Sequence, residues 1–528
     1  MKLIKTDDAF IDAIMKGVNT VVNLVSKTLG GKGRSIMLDT TSWVHTTLDG
    51  ITITRNSAMN RKDEDMGLKL VLEAGEKQDR ECGDGTSTVQ VVLQSLMQGV
   101  AKAIKNGADR QSINKGIISA RNKVIEEITS FAQKITRDSE EAYQVAKVSA
   151  HGDEEVAKLV ADIFKNTNKH SAISVEESRS NESYIDIIDG MKVNSGWLSQ
   201  EFITNGAKET AELENPFILI YKGKINNVPE IFNILKATNE AGRPLVIVSD
   251  SMEGETLSTL SINVQKGQLS LVAINPAPGH DKKTIINRMK DLAASTGATL
   301  ISPDFGHNIS DTTLDQLGTA KRVIVSKTQS VFYEGGKNEE VFNDRVKDLE
   351  QQLDDSEEGM DRQVILDRLA SLTGGVGVIY VGGNIPTEVK EKRDRVDDSK
   401  GAVESALELG IVPGGGTSLL FAANVLEGFY LDTNDENIGV KIVKEALTVP
   451  IKQILLNAGL TPEVIIHEIK KQGVGYGYNV MSDEHVNLID DGILDSAKVE
   501  INAIMNATAV AVQFANSVAL ITNVDKID

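Results

Sequence analysis

From about residue 185 to about residue 330 short apolar runs alternate with helical patterns, and on either side of that block the chain reads as helix. The runs are Phe217-Ile218-Leu219-Ile220, Leu245-Val246-Ile247-Val248, Leu269 to Ile274, Thr299-Leu300-Ile301 and Arg322-Val323-Ile324-Val325. Strands that alternate with helices in this way predict βα units on a parallel sheet. Helical flanks at both chain ends then predict one domain built from the two ends, with an α/β domain inserted into it. The 528 residues suit two or three domains, since single cores stop growing well below that length.

In the first flank, Phe10, Ile14, Val18, Val21, Val25 and Leu29 lie on one helical face. Gly30-Gly31 ends that helix, and the spacing predicts a strand pair at Ser35–Leu38 and Ile51–Thr54, joined through an Asp49-Gly50 turn. Residues 63–130 and 139–165 read as amphipathic helices, and 339–371 as a charged helical stretch before a buried strand at Gly375–Val381. From 386 the chain is helical again. It is broken by Pro413-Gly414-Gly415-Gly416 and by a hairpin at Tyr476-Gly477-Tyr478-Asn479, and it ends in an apolar helix over 496–521. No repeat or proline-rich linker interrupts the pattern, so hinges are expected in ordinary loops.

Charge excludes one function class. Lys+Arg 56 against Asp+Glu 76 leaves −20, whereas nucleic-acid binding rests on cationic side chains meeting phosphates. A single cysteine, Cys82, allows no intrachain disulfide and suits a reducing, cytoplasmic setting. Its neighbours Glu81 and Asp84 are acidic, so packing is a better role for it than nucleophilic chemistry. The N-terminus lacks the apolar core of a signal peptide, and polar residues such as Asn506 and Gln513 break the most apolar run, Ala503–Ile521. A buried helix, not a membrane span, is expected there.

The chemistry concentrates at Gly83-Asp84-Gly85-Thr86-Ser87-Thr88, which leads into an apolar helical run. Glycines let backbone N–H groups approach an anion, and the hydroxyl residues stand where helix N-caps stand. Asp84 would repel phosphate unless a divalent cation lay between, and Mg²⁺ is held by one or two carboxylates plus phosphate oxygens. The loop therefore predicts a Mg-nucleotide site. Neither a Walker A sequence nor a dinucleotide-type G-x-G-x-x-G after a strand is present.

Seven loops in register resemble the group I chaperonins, the GroEL-type family: Thr28–Arg34, Asp49-Gly50, Gly83–Thr88, Arg395–Asp398, Gly414–Gly416, Tyr476–Asn479 and Gly492–Asp495. The resemblance runs from about residue 10 to about 522. It implies a multidomain α/β fold: an equatorial ATPase domain from 1–131 and 408–528, a small intermediate hinge domain from 132–188 and 376–407, and an inserted apical client-binding domain from 189–375. It implies ATP and Mg²⁺, with K⁺ dependence plausible through backbone oxygens. Thr28, Leu29, Gly30 and Gly31 would meet the phosphates, Asp84 would hold Mg²⁺, and Gly85, Thr86, Ser87 and Thr88 would wrap the phosphates. Gly415, Asn479 and Asp495 would line the base and ribose. Asp398 would deprotonate the attacking water and Asp49 would be the second carboxylate aimed at it, against bland alternatives of an N-cap and a hairpin turn.

The resemblance also implies a homo-oligomer of seven-membered rings, a cavity for non-native client proteins and a small co-chaperonin, without nucleic acid or membrane. Lys452 and Thr461 stand where the family commonly pairs arginine with glutamate between rings, so a weakened double ring or single rings are expected. Client contacts would come from Trp197, Leu198 and Phe202, from Ile231, Phe232 and Leu235 on one apical helix, and from Leu257, Leu260 and Ile262 on another. Ser261 and Glu201 replace an apolar and an aromatic residue, which predicts a more polar groove. Gly31 replaces the usual proline and predicts a looser loop. Asp153 and Arg395 match a switch contact between neighbouring subunits. The competing functions are a non-cycling holdase or structural ring, which the complete Asp49, Asp84, Asp398 set disfavours, and a small-molecule kinase, which has only the phosphate cradle in its favour.

Overall fold

A computed structural model describes residues 2–39, 44–169, 171–178, 180–206, 208–276, 282–356 and 360–523. Two compact units emerge: Met1–Asp162 with Glu177–Ser183 and Val381–Asp528, and Ile163–Glu176 with Tyr184–Tyr380. The chain ends thus share one unit, and the α/β block forms the other.

The first unit is built on long helices. Asp7–Val25 buries Phe10, Ile14, Val18, Val21 and Val25, the face its spacing predicts. It passes Lys62–Cys82 at backbone distance: a Cβ on Gly17 would lie 1.9 Å from the Glu64 carbonyl oxygen, and one on Gly67 would lie 2.1 Å from that of Ile14. Thr86–Lys105, Arg110–Phe131 and Ala497–Asn516 complete the core around Val92, Leu96, Ile117, Ile504 and Phe514. Together with its 3-10 turn the first helix, Asp7–Thr28, is long and apolar enough by composition to cross a membrane, yet 61% of its most apolar window is buried inside the fold.

Two predicted elements differ here. Ile36–Asp39 pairs with Val44–Thr47, while Gly50–Arg55 is a helix and not the second strand. Its β-branched alternation reads as strand, but Asp49 caps it and Ile51 and Ile53 enter the core, so tertiary context overrides propensity. The last helix stops at Asn516, and Ala519–Asn523 pairs antiparallel with Lys2–Thr6, joining the chain ends.

The second unit holds an eight-stranded sheet. Leu271–Ile274, Leu245–Met252, Phe217–Ile225 and Leu300–Ile301 are parallel to one another, as the βα pattern predicts. Gly318–Val325 is antiparallel to Phe217–Ile225 and starts an antiparallel half with Ala211–Glu214, Ser330–Gly335 and Gly190–Val193. The sheet is therefore mixed, because a hairpin rather than a helix joins Gly318–Val325 to Ser330–Gly335. The stretch 339–371 is two helices, Glu339–Asp354 and Met360–Thr373.

Candidate active site

Gly85 has φ +79°, a left-handed backbone, and a Cβ there would lie 2.5 Å from Val499 Cγ1. Gly85 is itself the N-cap of Thr86–Lys105 and no side chain caps that helix, so Thr86, Ser87 and Thr88 form its first turn. The expectation that these hydroxyl residues supply the cap is corrected. The consequence favours an anion, because the first-turn N–H groups have no intrahelical acceptor. Gln78 Nε2 donates to the Asp84 carbonyl oxygen at 3.0 Å and to that of Val499 at 3.2 Å, pinning the loop to the last helix.

The Asp49 carboxylate is held on three sides. Oδ1 accepts from the Ile51 N–H at 3.1 Å and the Thr86 hydroxyl at 3.1 Å, and Oδ2 accepts from the Thr52 N–H at 3.0 Å. Asp398 lies inside the helix Pro386–Leu409, well away from its first turn, so capping is not its role. All fourteen residues named from the sequence for nucleotide and catalysis line one cavity of about 440 Å³ within the first unit: Thr28, Leu29, Gly30, Gly31, Asp49, Asp84, Gly85, Thr86, Ser87, Thr88, Asp398, Gly415, Asn479 and Asp495.

Electrostatics in this cavity are unfavourable without a counter-charge. Burial pushes the Asp84 carboxyl up to about 6, and the charges of Asp495 and Asp49 add to it against the opposing Gly85 N–H. Burial also drives Asp398 well above the usual carboxylate range, reinforced by Asp49, Asp84, Asp79 and Asp394. The lysine on the cavity wall, Lys147, is paired with Glu154 at 2.7 Å. A divalent cation fits this donor set, since clustered carboxylates at an anion cradle need a positive charge between them. Among the described residues no group of three or more His, Cys, Asp or Glu could hold a metal alone.

Part of the cavity lining comes from the hairpin Tyr476–Asn479 with Glu484–Asn487 and its turn. Asn479 is largely engaged with its own turn: Oδ1 accepts from the N–H groups of Met481 and Ser482, and Nδ2 donates to Asp491 at 2.7 Å. Gly31 does not leave a gap. A Cβ built on it would lie 3.2 Å from Met481 Sδ, so a side chain from the other chain end covers the place of the missing proline. Asn457 further ties the loop by donating to the carbonyls of Ser26 and Leu29. Cys82 is buried, with its thiol pushed up to about 11, which accords with packing.

A sequence model of the TCP-1/cpn60 chaperonin family matches residues 21–521. The chain belongs to that family. Among solved structures it is similar to chaperonin gp146 from the bacteriophage EL 2 (Pseudomonas aeruginosa), determined in the presence of ATP-BeFx in two crystal forms. In crystal form II the identity is 22% and the TM-score 0.70, covering 99% of this chain and 100% of that one. In crystal form I the identity is 21% and the TM-score 0.63, with 99% of each chain covered.

The chaperonin's expected client residues divide sharply. Phe232 (57% exposed) and Ile262 (48%) reach the surface of the second unit. Ile231, Leu235, Leu260 and Phe202 are buried in its core, so their assignment as client contacts is corrected to packing. Trp197, Leu198 and Leu257 are partly buried against that core. Ser261 is buried, so it does not make the exposed face more polar. Arg395 bonds Asp153 at 2.9 Å within one chain, where the resemblance implies a contact between subunits.

Sequence reading missed Glu500, Met481, Lys147 and His151, all of which line the cavity. Glu500 carries a signal in hindsight: it is a carboxylate set between Val499 and Ile501 on an apolar helix. The other three sit in no motif, and only the fold brings them to the site.

Proposed function

We propose that this chaperonin is an ATPase that encloses non-native proteins in a ring-shaped chamber and cycles by binding and hydrolysing Mg-ATP. The observation that supports the reading is the convergence of Asp49, Asp84 and Asp398, from three separate chain segments, on one cavity beside an uncapped helix N-terminus. Phosphoryl transfer asks for positioning and charge stabilisation more than covalent chemistry, and that is what such a wall offers. The chaperonin gp146 structures, obtained with ATP-BeFx, add weight by likeness of fold.

Asp84 would hold Mg²⁺, which when bound neutralises charge on the phosphates. Asp398 is a base of raised proton affinity suited to accept the proton of the attacking water, and Asp49, fixed by three donors, orients that water. K⁺ at backbone oxygens of the Thr28–Gly31 loop belongs to the same proposal. So do the division into equatorial, intermediate and apical domains, the seven-membered single or double rings, the small co-chaperonin and a cytoplasmic setting. Phe232 and Ile262 are the exposed apolar residues of the proposed client face.

Steady-state phosphate release with Mg²⁺, with and without K⁺, tests the activity, and negative-stain imaging with and without ATP tests the ring. ATP-dependent turnover without any phosphorylated acceptor is expected. Rings that form but release no phosphate would leave the non-cycling holdase as the function.

A further inference from the structure

Lys147 is the cation at the cavity that the hydrolytic reading does not use. Among the described residues of the lining it is the one lysine and there is no arginine, while Asp49, Asp84, Asp398, Asp491, Asp495 and Glu500 are all acids. It stands in the last turn of the helix Glu140–Ser149. Burial raises Asp84, and the Ser149 hydroxyl is among the donors that oppose it. Burial and Arg395 lower His151, and the charge of Asp49 opposes them. Residues 147–152 therefore run past Asp84 and Asp49, along the phosphate end of the proposed site.

Lys147 Nζ pairs with Glu154 at 2.7 Å, across the turn that leads into Glu154–Asn166. That pair is not what holds the turn. The Gly152 N–H donates to the Lys147 carbonyl at 2.8 Å, Gly152 takes φ +87°, and Asp153 Oδ1 accepts from the Glu155 and Val156 N–H groups. Glu154 is exposed over 71% of its side chain, so the pair is weak and the lysine changes partner at little cost. Its flexible four-carbon stem lets the ammonium swing while the helix stays in place. Phosphoryl transfer spreads negative charge over the phosphoryl oxygens, and a cation aimed at them stabilises it. We infer that Lys147 leaves Glu154 for the γ-phosphate, and that Glu154 is the competing anion that holds it in reserve until a nucleoside triphosphate binds. This inference rests on the nucleotide reading of the cavity.

The test compares calorimetric affinities for Mg-ADP and for the Mg complex of a non-hydrolysable ATP analogue with an imido β–γ bridge. It uses the full chain and its Lys147→Met, Lys147→Arg and Glu154→Gln variants. Lys147→Met should weaken the analogue by about tenfold or more, the worth of a charge-assisted hydrogen bond, and leave Mg-ADP within about twofold of the parent. Lys147→Arg, which keeps the charge, should retain most of the analogue's affinity. Glu154→Gln breaks the same ion pair but frees the lysine, so it should tighten the analogue by about two- to fivefold, the most an exposed pair withholds. A poorly folded variant lowers both affinities together, so the ratio of the two reads recognition and not folding. Variants Lys147→Met and Glu154→Gln that shift the analogue in the same direction would make the pair a structural staple and overturn this inference alone. So would a ratio unmoved by Lys147→Met. A parent that binds neither nucleotide overturns the nucleotide reading, and this inference with it.

Discussion

The nucleotide cavity and the exposed face of the α/β unit were read from the same sequence by two different signals. At the cavity, the Gly83–Thr88 loop was read from its own chemistry, and the other site residues followed from the resemblance of seven chain segments to one family. All fourteen residues chosen that way line one cavity. The client face followed from the resemblance and from the apolar side of two helices, which carry six of its nine residues, and four of the nine prove to be core. Loop chemistry is specific because an acid between two glycines has few structural uses. An apolar helical face has one common use, burial, and periodicity does not mark which apolar residue stays outside.

The largest expected effect breaks the cavity side of this contrast. Asp398→Ala removes the proposed base and leaves the glycine loops and Asp84 in place. Its turnover should fall by about 10²–10⁴-fold while ATP affinity stays close to that of the parent. Asp84→Ala, by contrast, should lose affinity as well as turnover. Calorimetry beside phosphate release separates the two. An Asp398→Ala variant that cannot bind ATP would show that the residue shapes the cavity and performs no proton transfer.

The second expectation sharpens the other side. Phe202→Ala empties a fully buried site and should cost about 3–5 kcal/mol in denaturant unfolding. Phe232→Ser, on a surface residue, should stay within about 0.5 kcal/mol of the parent yet weaken capture of an unfolded protein. Equal stability losses in the two would place Phe232 in the core and remove it from the client face.

What was hidden in the sequence shares one cause. Ile51–Thr54 alternates β-branched residues and still folds as helix, because Asp49 supplies a cap and Gln90 accepts from the Thr54 hydroxyl. Met481 and Gly31 are far apart in the chain, and their contact depends on how the hairpin packs on the glycine loop. Glu500 belongs to no loop motif. Each of these is a tertiary fact, decided by a partner that local sequence does not contain. The inserted α/β domain was legible because its strands are short, apolar and evenly spaced, whereas the reversal at Gly318–Val325 depends on which partner that strand takes.

A smaller effect concerns Asp394, which feels the charge of the cavity acid Asp49. Burial and the nearby charge of Asp49 push Asp394 up to about 7. A carboxyl raised in the fold above its ordinary value of about 3.9 binds its proton more tightly there than in the unfolded chain. Its contribution is therefore favourable at low pH and is lost as pH rises through about 7. Asp394→Asn should be more stable than the parent at pH 8, by on the order of 1 kcal/mol, and the gain should shrink as pH falls and vanish below about pH 4. Thermal melts of nucleotide-free protein at the two pH values check the sign. A gain that grows toward acid would mean the carboxyl is stabilised as an anion.

The smallest effect is the most discriminating about assembly. Arg395 bonds Asp153 at 2.9 Å and Glu391 at 2.7 Å, with all three side chains half-buried. Its helix also carries Asp398, and Asp153 follows Gly152 on the cavity wall, so the pair ties the proposed base to the loop that faces it. An ion pair of this exposure is worth about 0–1 kcal/mol, so Arg395→Ala should leave stability nearly unchanged. The base remains, so turnover should change by less than about threefold, while the steepness of its ATP dependence falls. The resemblance places this contact between subunits, and the structure makes it within one chain. A double-mutant cycle with Asp153→Ala, measured on dissociated subunits and on the assembly, decides between them. Coupling present in the dissociated subunit supports the contact seen here. Coupling that arises only on assembly would mean that Arg395 pairs with Asp153 of a neighbouring subunit, and that the pair reports ring formation.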